Sequence, residues 1–167
     1  MLSNRDARFW IHAWWPVAVL AALIAFGSSP RFGTDHTSGP LRWLWQFLFG
    51  PVGNRHWDLV HVCIRKGGHF IVYGVLGLAC LRAWRLSLPR LRLFSAMALA
   101  LLGTAAIASC DEFHQSFLPN RGGSPWDVLL DCCGAATFCL LASAIVLASQ
   151  RKRKRRHKLD GEPRIIA

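Results

Sequence analysis

Residues 93–110, LFSAMALALLGTAAIASC, carry no charged side chain, are rich in alanine and give way at once to Asp111 and Glu112. A run this long and apolar suits a helix crossing the hydrocarbon core of a bilayer, which takes about 20 residues at about 1.5 Å each. Working outward, residues 126–149 read the same way. They follow Ser124-Pro125, a helix cap with proline at the first helical position, and end on a basic run. Residues 67–86 form a shorter span, with His69 near one end and Arg82 and Arg85 near the other able to reach the interfaces. Residues 9–28 contain no Lys, Arg, Asp or Glu and begin with Trp10, Trp14 and Trp15, which suit an interfacial belt. Arg5 and Arg8 ahead of them also resemble the start of a cleaved secretory signal. The length of the run and its bulky opening favour a retained span.

Composition agrees with this reading. The chain has 167 residues, 53% hydrophobic and only 17% charged, too apolar for an ordinary soluble domain. Its 10 Phe and 8 Trp exclude disorder over most of the length. Four spans leave no room for a large catalytic domain. The 6 Cys form no CxxC pattern and lie mostly in apolar stretches, where they read as small hydrophobes and not as a disulfide framework or zinc ribbon. The expected fold class is therefore all-α, an integral membrane bundle of four transmembrane helices. Within the mixed segment 28–65, residues 41–49 are apolar except for Arg42 and Gln46, which share a helical face. They are too few to cross, and predict an interfacial helix in the first outer loop. Residues 1–150 make up the transmembrane domain, and 151–167, opening on a solid basic run, read as a disordered tail.

Charge orients the molecule. With both termini on one side, that side holds 14 of the 20 Lys and Arg, whereas the other holds Arg31, Arg42, Arg55, Arg65, Lys66 and Arg121. By the positive-inside rule both termini are cytoplasmic and the protein is a multi-pass component of a bacterial inner membrane. Of the acids, Asp6, Asp160 and Glu162 fall inside and the remaining six fall outside, so the whole net charge of +11 lies on the cytoplasmic side. Attraction to anionic lipid accounts for it, and no nucleic-acid partner is expected.

Topology does not explain why polar groups crowd the outer ends of three spans. Lys66, His69 and Tyr73, at offsets of three and seven, lie along one helical face. Asp111 and Gln115 are four apart, with Glu112 three before Gln115. After the turn Pro119-Asn120-Arg121-Gly122-Gly123, Asp127 and Asp131 are again four apart, with Gly134 next on that face. Ionisable residues at membrane depth are costly and usually pair with each other or line a wet cavity. Bland readings exist for several. Asp127, three after Ser124, fits a capping box; Lys66 can snorkel; Arg121 can pair with Asp111 or Glu112 across the loop. A metal reading would draw on His69, His114, Asp111 and Glu112, with His61 or Cys110, but no recognised ligand spacing joins them, so no metal or cofactor is expected. Nor does Ser116, Ser124, Cys63 or Cys110 sit in a nucleophile turn.

At these residues the chain resembles the VanZ-like family of small integral membrane proteins. The resemblance rests on Lys66-Gly67-Gly68-His69-Phe70-Ile71-Val72-Tyr73, on Asp111-Glu112-Phe113-His114-Gln115-Ser116-Phe117-Leu118-Pro119-Asn120-Arg121, and on Asp127, Asp131 and Gly134. Where the family commonly carries Asn this chain has Asp131, and Phe138 replaces a late glycine. The resemblance implies a role at the cell envelope, linked in some members to teicoplanin tolerance. The resulting expectation is an outer-face site handling an anionic lipid or cell-wall-related group, with a membrane lipid, a cell-wall precursor or a glycopeptide as partner. Lys66 and Arg121 would hold the anion, Glu112 or Asp131 would serve as acid or base, and His69 and Gln115 would orient, beside Asp111 and Asp127. The alternative is a non-catalytic module in which the same residues form an ion-pair network.

Overall fold

The structure, a computed structural model, is described over residues 4–30, 33–118 and 122–160, with the side chains of 4–7, 34–35 and 154–160 outside the description. Among these residues the protein consists of five helices and no strand: α1 (Asn4–Gly27), α2 (Thr34–Phe49), α3 (Asn54–Ser87), α4 (Leu93–Gln115) and α5 (Pro125–Asp160). All but α2 are long and apolar enough to cross a membrane, and the chain is an all-α multi-pass membrane protein. Their outward faces carry large apolar side chains such as Phe94, Leu102, Leu140 and Ile145, as lipid-facing surfaces do.

The α3, α4 and α5 helices pack around a core of Tyr73, Leu76, Cys80, Ala96, Ala100, Ala108 and Cys139, with α1 laid mainly against α3. Small residues let the backbones close in. A Cβ on Gly134 would overlap the Phe70 carbonyl, one on Gly77 would sit 2.7 Å from the Ala135 methyl, and one on Gly74 would strike the Phe138 ring. Phe138, the residue that departs from the family pattern, thus fills the space that Gly74 leaves open. All six cysteines are free, as their scattered apolar positions predict.

The sequence reading is corrected in three places. The second span does not begin at residue 67: α3 is 34 residues long, so Lys66 and His69 lie well inside a helix. At about 1.5 Å per residue it measures about 50 Å, more than the hydrocarbon core requires. Its first turns pack instead against α2, which starts at Thr34 and not near residue 41. There Trp57 Nε1 donates to Ser38 Oγ at 2.7 Å, and Arg42 donates to the Val52 carbonyl at 2.9 Å and to Asn54 Oδ1 at 2.8 Å. Finally, the basic stretch after residue 150 is not disordered at its start, because α5 continues to Asp160. Exposed Trp43, Phe47 and Phe49 give α2 an outer apolar face suited to an interface.

At the end of the bundle where α1 begins, Pro16 lies inside the helix and lacks the N–H that would bond the His12 carbonyl. Arg82 of α3 replaces it, donating to the His12 carbonyl at 3.3 Å and the Ala13 carbonyl at 3.0 Å. Beside it Trp14 stands edge-on to Trp84 at 5.0 Å and donates to Ser87 Oγ at 3.0 Å. These contacts fix α1 antiparallel to α3 and carry its far end, at Ser28, to the polar cluster.

Candidate functional site

The last turn of α4 supplies the centre of the site. Asp111, Glu112 and Gln115 are all buried, and helical spacing sends them in two directions. Asp111 and Gln115, four apart, share a face: Gln115 Nε2 donates to Asp111 Oδ2 at 2.8 Å and to Ser28 Oγ at 3.1 Å. The Tyr73 hydroxyl donates to the same Asp111 oxygen at 3.2 Å. One carboxylate therefore ties α1, α3 and α4 together.

Glu112 faces α5. Ser124 caps that helix, its Oγ accepting from the Trp126 N–H at 3.2 Å. In an ordinary capping box the side chain at position 127 would return to the Ser124 N–H. Here Glu112 takes that N–H at 2.9 Å, reaching it from a different helix. Gly123 permits the approach, since a Cβ there would overlap the Glu112 carbonyl. Asp127, relieved of capping, pairs with Lys66 of α3.

One turn deeper, Asp131 is completely buried. His69, stacked on Tyr73 with ring centroids 6.0 Å apart, brings Nδ1 to 3.4 Å from Asp131 Oδ1. That contact is within ion-pair reach but lacks hydrogen-bond geometry, and neither Asp131 oxygen has a hydrogen-bond partner among the described residues. Leaving a buried carboxylate so poorly compensated costs roughly several kcal/mol. Candidate donor atoms of His69, Glu112 and Asp131 all lie within 4.8 Å of one another.

Of the eight site residues expected from sequence, seven are thus joined in one region by direct contacts or by a single helical turn, and Arg121 lies outside the described residues. The wider metal-ligating set comes apart: His114 and Cys110 are exposed, and His61 turns to α2, where its Nε2 lies 3.3 Å from Thr37 Oγ1. Ser28 and Arg65 had no sequence signal that marked them. Tyr73 did, standing four after His69, and its hydroxyl is a full member of the network.

A cavity of about 300 Å³ adjoins the cluster between α1, α3 and α4. Leu23, Ile24, Ile64 and Val72 make its walls apolar, while Ser28, Arg65, His69, Tyr73, Asp111 and Gln115 bring polar groups to it. Gly68 also lines it, and a Cβ there would meet no atom within 4 Å, so this glycine leaves room without being needed for packing. The arrangement can receive an amphipathic molecule and present it with a carboxylate, an imidazole and a guanidinium.

Comparison with curated proteins and with solved structures yields no match. Comparison with family models does: the model of the VanZ/LLP1 family matches residues 12–147, taking in α2, α3, α4 and the whole polar cluster. By that match, and by the helical architecture that accompanies it, the chain belongs to the VanZ/LLP1 family.

Proposed function

We propose that the protein works at the bacterial cell envelope, binding the anionic group of a membrane lipid or lipid-linked cell-wall precursor at the polar end of its bundle. That end faces outward from the inner membrane, with both termini in the cytoplasm, a reading supported by the 14 of 20 basic residues on the terminal side. The cavity carries the proposal. Its apolar walls suit an acyl chain, its polar groups suit a headgroup, and Arg65 on the lining with Lys66 beside it supplies positive charge. Arg121 joins them in this reading. Glu112, Asp131 and His69 are the acid–base candidates, and Asp111, Gln115 and Asp127 the orienting groups. A cell-wall precursor as ligand would connect the site to glycopeptide tolerance, that to teicoplanin included.

The test uses full-length protein in mild detergent, with bound lipids identified by native mass spectrometry. Wild type retains anionic phospholipid in preference to neutral lipid. Gly68→Leu, whose side chain projects into open space, retains at least about fivefold less at an unchanged thermal midpoint. Equal retention of neutral and anionic lipid, or no effect of the substitution, overturns the proposal.

The hydrogen-bonded chain from Tyr73 through Asp111 and Gln115 to Ser28 favours a second reading, in which the polar residues only hold helices together. Glu112→Gln separates the two. A glutamine carbonyl can still accept from the Ser124 N–H, so the fold survives while the carboxylate is lost. If the site handles a ligand, a strain carrying only this variant shows the lipid and muropeptide profile of a deletion. If it is structural, the profile stays wild type.

A further inference from the structure

We infer that His69, Glu112 and Asp131 bind one divalent transition-metal cation of the Mn²⁺ or Zn²⁺ kind. The three side chains come from α3, α4 and α5, and sequence spacing alone does not connect them. Their candidate donor atoms lie within 4.8 Å of one another. The 3.4 Å between His69 Nδ1 and Asp131 Oδ1 is the separation expected for neighbouring ligands around a tetrahedral cation with bonds of about 2.0–2.2 Å.

A second observation points the same way. Asp131 is fully buried, and both its oxygens, like His69 Nδ1, lack a hydrogen-bond partner among the described residues. Such groups are normally satisfied. Lys66, the nearest described cation in sequence to His69, is engaged by Asp127, and the Tyr73 and Gln115 donors are spent on Asp111. Among the described residues the two Asp131 oxygens are left without a hydrogen-bond donor, and a cation would satisfy them. Glu112 is already steered: the Ser124 N–H holds Oε2 and leaves its other oxygen for the metal, as an outer partner does for a ligating carboxylate.

The donor set selects the ion. One imidazole nitrogen with carboxylate oxygens suits Mn²⁺, Fe²⁺ or Zn²⁺, Ca²⁺ takes six to eight oxygens, and soft Cu⁺ seeks sulfur. Three protein ligands leave an open position, the pattern of metal centres that admit water or a ligand. His69 also lines the cavity. The inference rests on the cluster itself and stands whether or not a lipid enters there.

Full-length protein in detergent, stripped with chelator, is dialysed against Mn²⁺ and separately against Zn²⁺, and bound metal is counted by elemental analysis. Wild type and the remote control Asp58→Asn hold about one ion per chain with nitrogen coupling in the Mn²⁺ resonance, and the metal raises their thermal midpoint. Glu112→Gln and Asp131→Asn weaken binding at least about tenfold and lose that thermal gain. Where Asp131→Asn does not fold, wild-type stoichiometry, the nitrogen coupling and Glu112→Gln decide. Wild type without stoichiometric metal, or both variants binding as wild type does, overturns the inference, and neither result depends on lipid retention.

Discussion

At the end of the bundle where α1 begins and α3 finishes, polar groups exist because the backbone needs them. Pro16 strips the His12 carbonyl of its partner and Arg82 restores one; Trp14 has an N–H to place and Ser87 accepts it. The other end differs. There Asp131 is buried with neither oxygen hydrogen-bonded among the described residues. A chain that satisfies a carbonyl at one end with a long charged side chain has the means to satisfy a carboxylate at the other. Saturation suits the first end to a scaffold, and the unpaired Asp131 is why the second is proposed as the place where a ligand or cation binds.

Within the polar end, Asp111 is the carboxylate with partners and offers the largest test of this contrast. Asp111→Ala withdraws the acceptor of the buried Tyr73 hydroxyl and of one Gln115 N–H, and is expected to cost about 2–3 kcal/mol. Chemical denaturation in detergent, followed by tryptophan fluorescence, measures it. A loss no greater than that of Asp131→Asn in chelator-treated protein would remove the distinction between a paired and an unpaired carboxylate.

At the opposite end the contrast predicts a conditional effect. Arg82→Met deletes the donor to the His12 and Ala13 carbonyls and is expected to cost about 1–2 kcal/mol. Pro16→Ala returns an N–H to the helix, so the same substitution in that background costs about half as much. A double-mutant cycle reads the coupling. Strict additivity would mean that Arg82 does not stand in for the missing backbone bond.

The same contrast explains how much was legible in the sequence. Spans declare themselves by composition, so the long uncharged run 93–110 located α4. Pairs one turn apart declare themselves by spacing, which is how His69 and Tyr73, Asp111 and Gln115, and Asp127 and Asp131 were found. The early part of α3 was illegible because Arg55, His56, Asp58, Arg65 and Lys66 interrupt the apolar pattern without breaking the helix, and the polar contacts that Trp57 and His61 make to α2 carry no signal in the sequence. The substitution of Glu112 for Asp127 at the Ser124 N–H was illegible for another reason. It is a contact between helices, and no period within one helix encodes it. Ser28 escaped notice likewise, an ordinary serine at a helix end until Gln115 is placed against it.

A pair of small substitutions sharpens the comparison most finely, because each removes a single serine hydroxyl that accepts one N–H. Ser28→Ala takes the acceptor from Gln115, which is buried among groups already committed to Asp111. The amide N–H loses its partner at a buried position, at a cost of about 1 kcal/mol. Ser87→Ala takes the acceptor from Trp14, but that bond is only part-buried and lies at the final residue of α3. Indole rings at a membrane interface can turn their N–H to water or headgroups, so the cost there is under about 0.5 kcal/mol. Thermal midpoints measured in the same detergent give the order directly. If Ser87→Ala costs as much as Ser28→Ala, the two ends are equally dry, and burial no longer separates the site from the scaffold.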